Sequence, residues 1–240
     1  MALIDTDGDS AATRAIVGNV GATDTVQKVI DGIFLAIRSG QMVPGQHLVE
    51  SDLTRRFGVS RGSLREGLKQ LASEGMVTLS PYRGAFIAAL DRKGVHDLLD
   101  VLQPLCELAA VRAAEGHCDP AQVARLNAIG AELADPDETL GRAHYLELRH
   151  QFYDLLIEMG DNTELRRVIP LARTDLFRAQ FDRVQSRAQH RRHADGYAKI
   201  ARAVAEAAPV KARNAVRAHF AGTRRTVDDL SDAAFSFVAR

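Results

Sequence analysis

The sequence predicts a mostly α-helical protein of two domains, with a single short β ribbon near residue 80. Apolar residues recur at helical spacing from about residue 24 to residue 74, and a strand–turn–strand pattern follows in "MVTLSPYRGAFIAAL". Beyond residue 94 nearly every segment returns to helical spacing. A chain of 240 residues can form one large or two small domains. We therefore expect a flexible arm over residues 1–20, an N-terminal domain over residues 21–90 and an all-helical domain over residues 94–232.

Three helices are predicted ahead of the ribbon. The first runs from about Asp24 to Ser39, and the second lies within "VESDLTRRFG". The third follows Ser60, whose hydroxyl is placed to accept a hydrogen bond from the first turn, and it ends before Gly75. A tight turn at Gly58 joins the second and third helices. Two short helices joined in this way form a helix-turn-helix, whose second helix enters the major groove of DNA.

The ribbon completes a winged helix, which consists of three helices followed by two antiparallel strands. The strands are predicted at residues 76–79 and 85–88, with a turn at 81–84. Arg83 and Gly84 stand at the tip, where a glycine allows the backbone to approach a phosphate or the minor groove closely. The N-terminal domain is therefore predicted to be a winged helix-turn-helix of three helices plus a two-stranded β wing.

A ridge of positive charge follows the third helix. Arg61, Arg65 and Lys69 are spaced four apart and lie three places out of step with the leucines of the buried face. Four arginines and no acidic residue occur between Arg55 and Arg65, a pattern suited to contacts with phosphate. Cations on a helix flank more often form a solvated surface, but the winged-helix context favours DNA. The candidate DNA-binding residues are Ser51, Arg55, Arg56, Ser60, Arg61, Ser63, Arg65, Lys69, Arg83 and Gly84.

The N-terminal domain of GntR-family bacterial transcription regulators is similar to the segment "SGQMVPGQHLVESDLTRRFGVSRGSLREGLKQLASEGMVTLSPYRGAFI". The resemblance implies that Arg61 and Arg65 contact bases of double-stranded operator DNA and that Gly84 lies in the wing. Two residues depart from the family pattern, since Gly62 stands where threonine is usual and Gly67 where alanine is usual. Each glycine costs the helix about 1 kcal/mol, and Gly62 also removes a hydroxyl contact to DNA.

Composition excludes several other kinds of protein. The formal net charge is +0 at pH 7, so positive charge is a local property of the helix-turn-helix. Aromatic residues make up 5% of the chain and tryptophan is absent, which disfavours proteins that stack single-stranded bases on aromatic rings. Cys106 and Cys118 are the only cysteines, too few for a zinc cluster or a disulfide framework.

The sequence also lacks the signatures of an enzyme or of a membrane protein. It contains no P-loop, no glycine-rich dinucleotide turn, no Ser/His/Asp nucleophile pattern and no His-Glu-x-x-His motif. The N-terminus has no apolar signal-peptide core, and no run approaches the roughly 18 apolar residues of a membrane span. We therefore expect a cytoplasmic protein that is not an enzyme and does not contact a membrane.

The second domain is expected to contain about six helices, at residues 94–116, 120–134, 138–159, 162–186, 188–207 and 209–230. Pro104 is expected to kink or break the first helix, whereas Pro120 favours the start of the second, after an Asp119 cap. The short loops imply an antiparallel bundle. This arrangement resembles the FadR-like branch of the GntR family, whose all-helical effector domain is called FCD and is similar here in "ELAAVRAAE", "FYDLLIEMGDNTEL" and "AVRAHF".

The resemblance also bears on a possible metal site. Many FCD domains hold a divalent metal with one aspartate and three histidines, and the matching positions here are Arg149, Tyr153, Tyr197 and His219. A guanidinium repels a cation and binds carboxylate or phosphate groups. Tyrosine titrates at about pH 10 and is a poor metal ligand near neutrality. We therefore expect no metal cofactor, and we assign these four residues to the binding of a small anionic or polar effector.

Two alternatives stay open. The first is a displaced metal site that uses His150, beside Arg149, or His193, one turn before Tyr197. The second is a pocket filled by side chains, in which case the protein is an effector-independent DNA-binding regulator. A buried Arg149 also needs an acidic partner, which either the protein or the effector supplies.

The favoured prediction is a ligand-responsive, sequence-specific transcription regulator. We expect it to bind a palindromic operator as a homodimer, because twofold pairing places two recognition helices on two half-sites. Arg65, on the proposed groove helix, is expected to read a base. Arg56, at the end of the preceding helix, is expected to contact a phosphate.

Overall fold

Helices dominate the part of the chain that the computed structural model describes. That part comprises residues 9–116, 119–135, 141–181 and 187–235, with side chains from residue 24 onward except those of residues 142 and 187–192. A small antiparallel sheet accompanies the helices in the N-terminal domain. No helix within these ranges has both the length and the apolarity needed to cross a bilayer. The predicted fold class, a winged helix-turn-helix followed by a helical bundle, is confirmed.

The N-terminal domain follows the predicted order of elements. Its elements are α1 (Asp9–Arg38), β1 (His47–Leu48), α2 (Glu50–Phe57), α3 (Arg61–Ser73), β2 (Val77–Ser80) and β3 (Gly84–Ile87). Helix α1 begins well before the predicted start at Asp24, so the arm expected over residues 1–20 is helical from Asp9 onward. Several alanines in this stretch favour helix locally. Residues 1–8 of the expected arm lie outside the described residues.

The sheet has three strands in the order β1–β3–β2, one more than the sequence predicts. Strands β2 and β3 form the expected antiparallel hairpin, with Val77 opposite Ile87. Strand β1 pairs with the other edge of β3, where His47 lies opposite Phe86. A strand of two residues is too short to show the alternation by which strands are recognised in a sequence, so β1 could not be predicted.

Helix α3 is built as its sequence predicts. Leu64, Leu68 and Leu71 are buried in the N-terminal core. The Ser60 hydroxyl accepts a hydrogen bond from the backbone N–H of Ser63 at 3.1 Å, which satisfies one of the donors that a first turn leaves free. The helix therefore turns its leucine face inward and its opposite flank toward solvent.

Close packing between α1 and α3 explains one of the two unusual glycines. A Cβ at Gly67 would lie 2.8 Å from Cγ1 of Val29 on α1, closer than real side chains approach. Alanine would force the two helices apart, so tighter core packing offsets the local cost of glycine in a helix. Nothing in the structure explains Gly62, which is exposed.

The helical domain differs from the predicted bundle in two places. Its described helices are α4 (Arg92–Glu115), α5 (Pro120–Ala134), α6 (Gly141–Met159), α7 (Thr163–Val168), α8 (Leu171–Phe181), α9 (Arg187–Ala205) and α10 (Pro209–Asp228), followed by a 3₁₀ turn at Asp232–Phe235. The single helix predicted at 162–186 is two helices over residues 163–181, because Pro170 between them has no N–H to continue the first. Residues 182–186 of this prediction lie outside the described residues. Helix α4, by contrast, runs without interruption through the exposed Pro104 and is held by packing against α6 and α10.

Helix α8 belongs to both domains. Every residue from Thr174 to Phe181 is buried, so the helix has no solvent face over this stretch. Leu176 and Ala179 pack into the N-terminal core, whereas Phe177 packs with Phe181 in the core of the bundle. Because well-packed interiors transmit displacement, a shift of α8 acts on both domains.

The side chain of Gln180 holds the segment between the domains against α8. Its carbonyl oxygen accepts a hydrogen bond from the backbone N–H of Leu90 at 2.9 Å, and its amide donates to the Leu90 carbonyl at 2.7 Å. Asp91 then caps α4 by accepting a hydrogen bond from the N–H of Gly94 at 2.6 Å. The connection expected at residues 88–94 is therefore short and tied to α8.

Candidate DNA-binding surface and effector pocket

The cations of α3 form an exposed ridge. Arg61, Arg65 and Lys69 are all exposed, on the flank of the helix away from its buried leucines. Arg55 and Arg56, in the last turn of α2, are exposed as well. A recognition helix in the major groove, preceded by a helix that crosses the phosphate backbone, presents its cations in this way.

Two cations of the ridge form exposed ion pairs within the protein. Nε of Arg65 lies 3.1 Å from a carboxylate oxygen of Glu50 on α2. The ammonium group of Lys69 lies 3.5 Å from Glu66 on the same helix. Exposed pairs of this kind contribute about 0–1 kcal/mol, so a phosphate or a guanine edge can displace the acid.

The start of α3 combines a cation with a network of hydroxyls. Arg61 has no ion-pair partner among the residues that the structure describes. The hydroxyls of Ser60 and Ser63 are 3.0 Å apart, and Thr25 on α1 donates to Ser63 at 3.1 Å. Ser63 is half-buried, so its hydroxyl is engaged in fixing the start of the helix. Ser51 is exposed on α2.

Two residues at the tip of the wing have a positive backbone φ angle. Tyr82 has a φ of 64° and Gly84 a φ of 90°, and the Tyr82 side chain is fully exposed. A Cβ at Gly84 would lie 2.9 Å from Nε2 of His47, so glycine is needed where the hairpin passes β1. The guanidinium of Arg83 lies 5.9 Å from the Phe86 ring. Tyr82 could not be identified from the sequence as part of this surface, because an exposed turn residue belongs to no periodic pattern.

The four residues predicted to form an effector site come together inside the helical bundle. Helix α6 contributes Arg149 and Tyr153, α9 contributes Tyr197, and α10 contributes His219. The Tyr153 hydroxyl lies 3.4 Å from Nε2 of His219, and the ring centres of Tyr197 and His219 are 4.7 Å apart. All four residues are buried. Positions taken from the family resemblance are therefore neighbours in space.

A cavity lies beside these four residues, and the sequence predicts only some of the side chains that line it. Arg149, Tyr153 and His219 line it, together with Thr174 and Arg178 from α8. Tyr197 is not among the lining residues, because it is fully buried in the aromatic cluster beside the cavity. The one sequence signal for α8 is the pair of charges in the otherwise apolar "DLFRAQF".

Arg149 is neutralised by the protein itself. Its guanidinium lies 3.0 Å from the carboxylate of Asp175 and 3.0 Å from the hydroxyl of Thr174, both on α8. Burial alone would lower the pKa of Arg149, but the oxygens of Tyr197, Tyr153 and Asp175 raise this pKa overall. The acidic partner that a buried Arg149 requires is therefore Asp175.

Asp175 also reaches the DNA-binding domain. Arg38, at the end of α1, lies 3.1 Å from the other carboxylate oxygen of Asp175 and 3.0 Å from Glu147 on α6. Nδ1 of His150 lies 3.4 Å from that same Asp175 oxygen. One buried carboxylate therefore bridges a wall residue of the cavity, Arg149, and the last turn of α1.

Arg178 is buried and has no carboxylate partner within the described ranges. Its guanidinium donates to Nδ1 of His193 at 3.0 Å and to the hydroxyl of Thr223 at 3.4 Å, and its Nε has no hydrogen-bond partner. Only 6% of the residue is exposed. Burial lowers the pKa of Arg178, in the opposite direction from the pKa of Arg149. The two buried arginines thus differ, since a described carboxylate compensates the charge of Arg149 and none compensates that of Arg178.

His219 is a neutral histidine held against α9. Burial, followed by the charges of Arg178 and Arg149, holds the pKa of His219 well below its usual range. Its Nδ1 has no hydrogen-bond partner in the described part of the chain. Gly196 permits this position, because a Cβ there would collide with the imidazole ring. Gly196 is thus a site residue that only the structure reveals.

The arrangement does not fit a divalent metal. Of the four positions that match metal ligands in related domains, only His219 is a metal-binding residue type. The ring of His193 lies 4.1 Å from that of His219, but His193 accepts a hydrogen bond from Arg178. His150 lies beside Asp175 instead. No group of three or more His, Cys, Asp or Glu side chains comes together in the residues described.

The cavity is almost filled by its own side chains. The space left among them is about 20 Å³, little more than the roughly 10–15 Å³ that one water molecule needs. A larger ligand must therefore displace lining side chains or shift one of the helices that carry them. Two of these helices, α6 and α8, also contact α1.

Two family models match the chain. The model described as bacterial regulatory proteins of the gntR family matches residues 25–87, which include α2, α3 and the wing. The FCD domain model matches residues 97–222, more than half of the chain. The first match covers the cationic ridge, and the second covers the residues that line the cavity except Thr223.

Several curated proteins are similar over part or most of their length. An HTH-type transcriptional regulator from an unstable DNA locus of Streptomyces ambofaciens is 29% identical over 194 residues, which are 79% of this chain and 78% of that protein. The Nta operon transcriptional regulator of Aminobacter aminovorans is 30% identical over 128 residues, 52% of this chain and 59% of that protein. The regulator YdhC of Bacillus subtilis is 26% identical and is likewise matched over 59% of its length.

Solved structures share the fold. Escherichia coli McbR/YncC matches with a TM-score of 0.72 at 17% identity, over 85% of this chain and 97% of that chain. A putative GntR transcriptional regulator from Rhodococcus sp. RHA1 matches with a TM-score of 0.71 at 19% identity, over 86% and 98%. At such identities the likeness shows the fold alone.

Proposed function

Because this chain belongs to the GntR family of bacterial regulators, with an FCD domain as its second domain, we propose that it is a ligand-responsive regulator that binds a palindromic operator as a homodimer. It is a DNA-binding transcription regulator rather than an enzyme. One observation supports the response to a ligand. Helix α8 forms a wall of the cavity and is at the same time part of the core of the DNA-binding domain.

Ligand entry acts on α8 because the cavity has almost no free space. Arg178 and Thr174 face the cavity, and Leu176 and Ala179 of the same helix lie in the N-terminal core. A ligand that moves the wall therefore moves side chains that pack against α1. Helix α3 packs against α1 in turn, so the displacement reaches the recognition helix through packed contacts.

Asp175 adds an electrostatic contact to this connection. It holds Arg149 at the cavity and Arg38 at the end of α1. A ligand that displaces α8 changes the distance between Asp175 and Arg38 across the domain boundary. Two states that differ in such a contact have different affinities for DNA, and the ligand favours the state that it binds more tightly.

An effector-independent DNA-binding regulator is the alternative, and the small volume of the cavity favours it. In that case, the buried charges only hold the two domains together. A ligand of the native state raises the melting temperature by mass action. The alternatives are therefore separated by whether one small molecule changes both the melting temperature and the operator affinity.

The DNA-binding part of the proposal rests on α3. Arg61 and Arg65 lie in the N-terminal half of this helix, from which recognition helices contact base edges. A guanidinium can bind O6 and N7 of guanine with two hydrogen bonds. Arg56 on α2 and Arg83 in the wing are assigned to phosphate contacts, which fix the position of the protein on the duplex.

Selection of bound duplexes from a random-sequence DNA pool tests this recognition. We expect the purified protein to enrich an inverted repeat whose half-sites are centred about one helical turn apart, roughly 10 base pairs, or a multiple of that distance. A pool that stays random after repeated rounds, although the protein binds duplexes tightly, would contradict sequence-specific binding.

An apolar stripe on α4 offers a surface for the second copy of the chain. Val101, Leu105 and Leu108 follow one another at i, i+4 and i+7, and Pro104 lies beside them. Val101 is 55% exposed and Leu108 is 43% exposed, although the opposite face of α4 is buried in the bundle. Twofold binding to DNA requires a second copy, and burial of this stripe would stabilise the dimer.

Leu108→Glu is expected to convert the protein to a monomer at micromolar concentration. Operator affinity should fall roughly 100-fold or more, because the two half-sites are no longer bound by linked domains. Sedimentation velocity and fluorescence anisotropy measure the two effects. Val210→Glu, which places the same charge at an exposed apolar residue of α10, is the control and should change neither. A Leu108→Glu protein that stays dimeric would show that α4 is not the interface.

A further inference from the structure

We propose that the effector is a small monocarboxylate with an apolar body, and that Arg178 binds its carboxylate group. Arg149, which the family resemblance assigns to effector binding, is then a structural residue that holds α6 to α8. The inference rests on the proposed function in one respect, since it takes the cavity as the place where the effector binds.

Among the described groups around the cavity, one positive charge, that of Arg178, has no negative charge to balance it. Arg149 is paired with Asp175 at 3.0 Å. His219 is neutral, because its pKa lies well below its usual range. Cys106 is neutral as well, because burial raises the pKa of its thiol to about 12. The charge of Arg178 is therefore unbalanced by the described residues, and one negative charge on a ligand balances it.

An unbalanced charge at this position destabilises the protein on its own. An ionised group is far less stable in an apolar interior than in water. The partners of Arg178, which are His193 and Thr223, carry no negative charge and offset only part of that loss. A carboxylate that binds here restores the missing interaction, so it is favoured over an uncharged molecule of similar shape.

An unused nitrogen atom of Arg178 marks the place of a ligand oxygen. Nε of Arg178 is buried and has no hydrogen-bond partner within the described residues. Nε of Arg149 lacks one as well, but Asp175 already balances the charge of Arg149. Nδ1 of His219 also lacks one, but it faces Gly196, which leaves no room there for a ligand oxygen. Nε and a terminal nitrogen of a guanidinium lie in one plane, at a spacing that matches the two oxygens of a carboxylate. Because a buried donor without a partner is costly, a ligand oxygen at Nε of Arg178 contributes more than one at an exposed site.

The other side chains that line the cavity favour a ligand with one negative charge and an apolar body. Leu99, Leu102, Ile169 and Phe220 line the cavity, and such side chains are stabilised by contact with methylene groups. A second negative charge would find no free cation in the described lining, because Arg149 is already paired. Dicarboxylates and phosphate dianions are therefore disfavoured relative to monocarboxylates.

The small volume predicts an optimum in ligand length. Short acids need the least displacement of the wall, whereas longer acids gain more apolar contact. We therefore expect affinity to rise and then fall along a series of straight-chain acids. A cavity with about 20 Å³ of free space must open for every member of that series.

A series of melting temperatures tests the anchor. The probes are straight-chain monocarboxylates from acetate to hexanoate, each paired with the primary amide of the same length, which has nearly the same shape and no charge. Succinate tests the second charge. We expect the best carboxylate to raise the melting temperature of the full-length protein by several degrees at millimolar concentration. The matching amide should have no effect, and succinate should have a smaller effect.

Two variants separate the roles of the buried arginines. In Arg178→Met, carboxylate affinity should fall roughly 10- to 100-fold, and the ligand-free melting temperature should stay the same or rise. In Arg149→Met, the ligand-free melting temperature should fall, because Asp175 loses a buried partner. Arg167→Met is the control, since Arg167 is exposed and pairs with the exposed Glu164 at 3.3 Å, and this variant should keep the carboxylate response.

Four outcomes overturn the anchor role. They are no carboxylate-specific rise in the wild-type protein, an amide as effective as its acid, a full response in Arg178→Met, and a loss of ligand-free stability in Arg178→Met as large as in Arg149→Met. Operator affinity of the wild-type protein, measured with and without the same acid, tests the proposed function separately. An acid that binds through Arg178 without changing operator affinity supports the anchor and contradicts ligand-responsive regulation.

Discussion

Asp175→Asn is expected to lower the free energy of unfolding by about 3–5 kcal/mol, because it leaves a buried guanidinium without its counter-charge. Asp175 is 1% exposed and is the carboxylate nearest to Arg149, whose exposed fraction is 4%. The change also removes the ion pair with Arg38 at 3.1 Å. Asparagine keeps the shape of the side chain, so the loss reports the charge rather than a cavity.

Urea unfolding at neutral pH measures this effect. Asp154→Asn is a matched control, because Asp154 pairs with Arg166 at 3.0 Å where both side chains are about half exposed, and the change should cost no more than about 1 kcal/mol. The double variant Arg149→Met/Asp175→Asn should recover part of the lost stability, since it removes both members of the buried pair. Equal stability of Asp175→Asn and the wild-type protein would contradict the structural role of this pair.

Arg65→Ala is expected to weaken binding to the selected operator by about 1–3 kcal/mol and to relax the preference at one base position. The reason is the exposed position of Arg65 on α3, where its ion pair with Glu50 at 3.1 Å is weak enough to be exchanged for DNA. Anisotropy with the operator, and with duplexes changed at single positions, measures both effects. An unchanged operator preference would show that α3 is not the recognition helix.

Arg56→Ala is the matched comparison on α2. A phosphate contact carries no sequence information, so affinity should fall evenly across duplexes. The slope of log affinity against log salt concentration should decrease by about 1. If Arg56→Ala instead changed the base preference, Arg56 would be a base contact.

The DNA-binding domain is predictable from the sequence because its signals are local. Ser60 caps α3 and the leucines at helical spacing bury one face, and both features can be recognised within a few residues of the chain. Strand β1 escapes prediction because it has two residues and is defined by its partner on β3. The early start of α1 at Asp9 escapes as well, because that stretch has no marked apolar stripe and no clear start signal.

The cavity is predictable only in part, because the decisive contacts join distant segments. Family resemblance brings Arg149, Tyr153 and His219 to one place, and the structure agrees. The partner of Arg149 could not be identified, since Asp175 lies in a segment predicted as one long helix and meets Arg149 only after Pro170 has separated α7 from α8. The place of Arg178 in the cavity could not be predicted for the same reason, because the burial of a charge depends on tertiary structure.

Operator affinity with and without a bound carboxylate tests most directly whether the cavity controls DNA binding through α8. The measurement is fluorescence anisotropy with the selected operator, at saturating concentration of the acid that raises the melting temperature most. We predict a change of about 5- to 150-fold in the dissociation constant. The change should be much smaller in Arg38→Met, which loses the contact with Asp175. A dissociation constant that stays the same while the acid stabilises the protein would contradict control of DNA binding by the cavity.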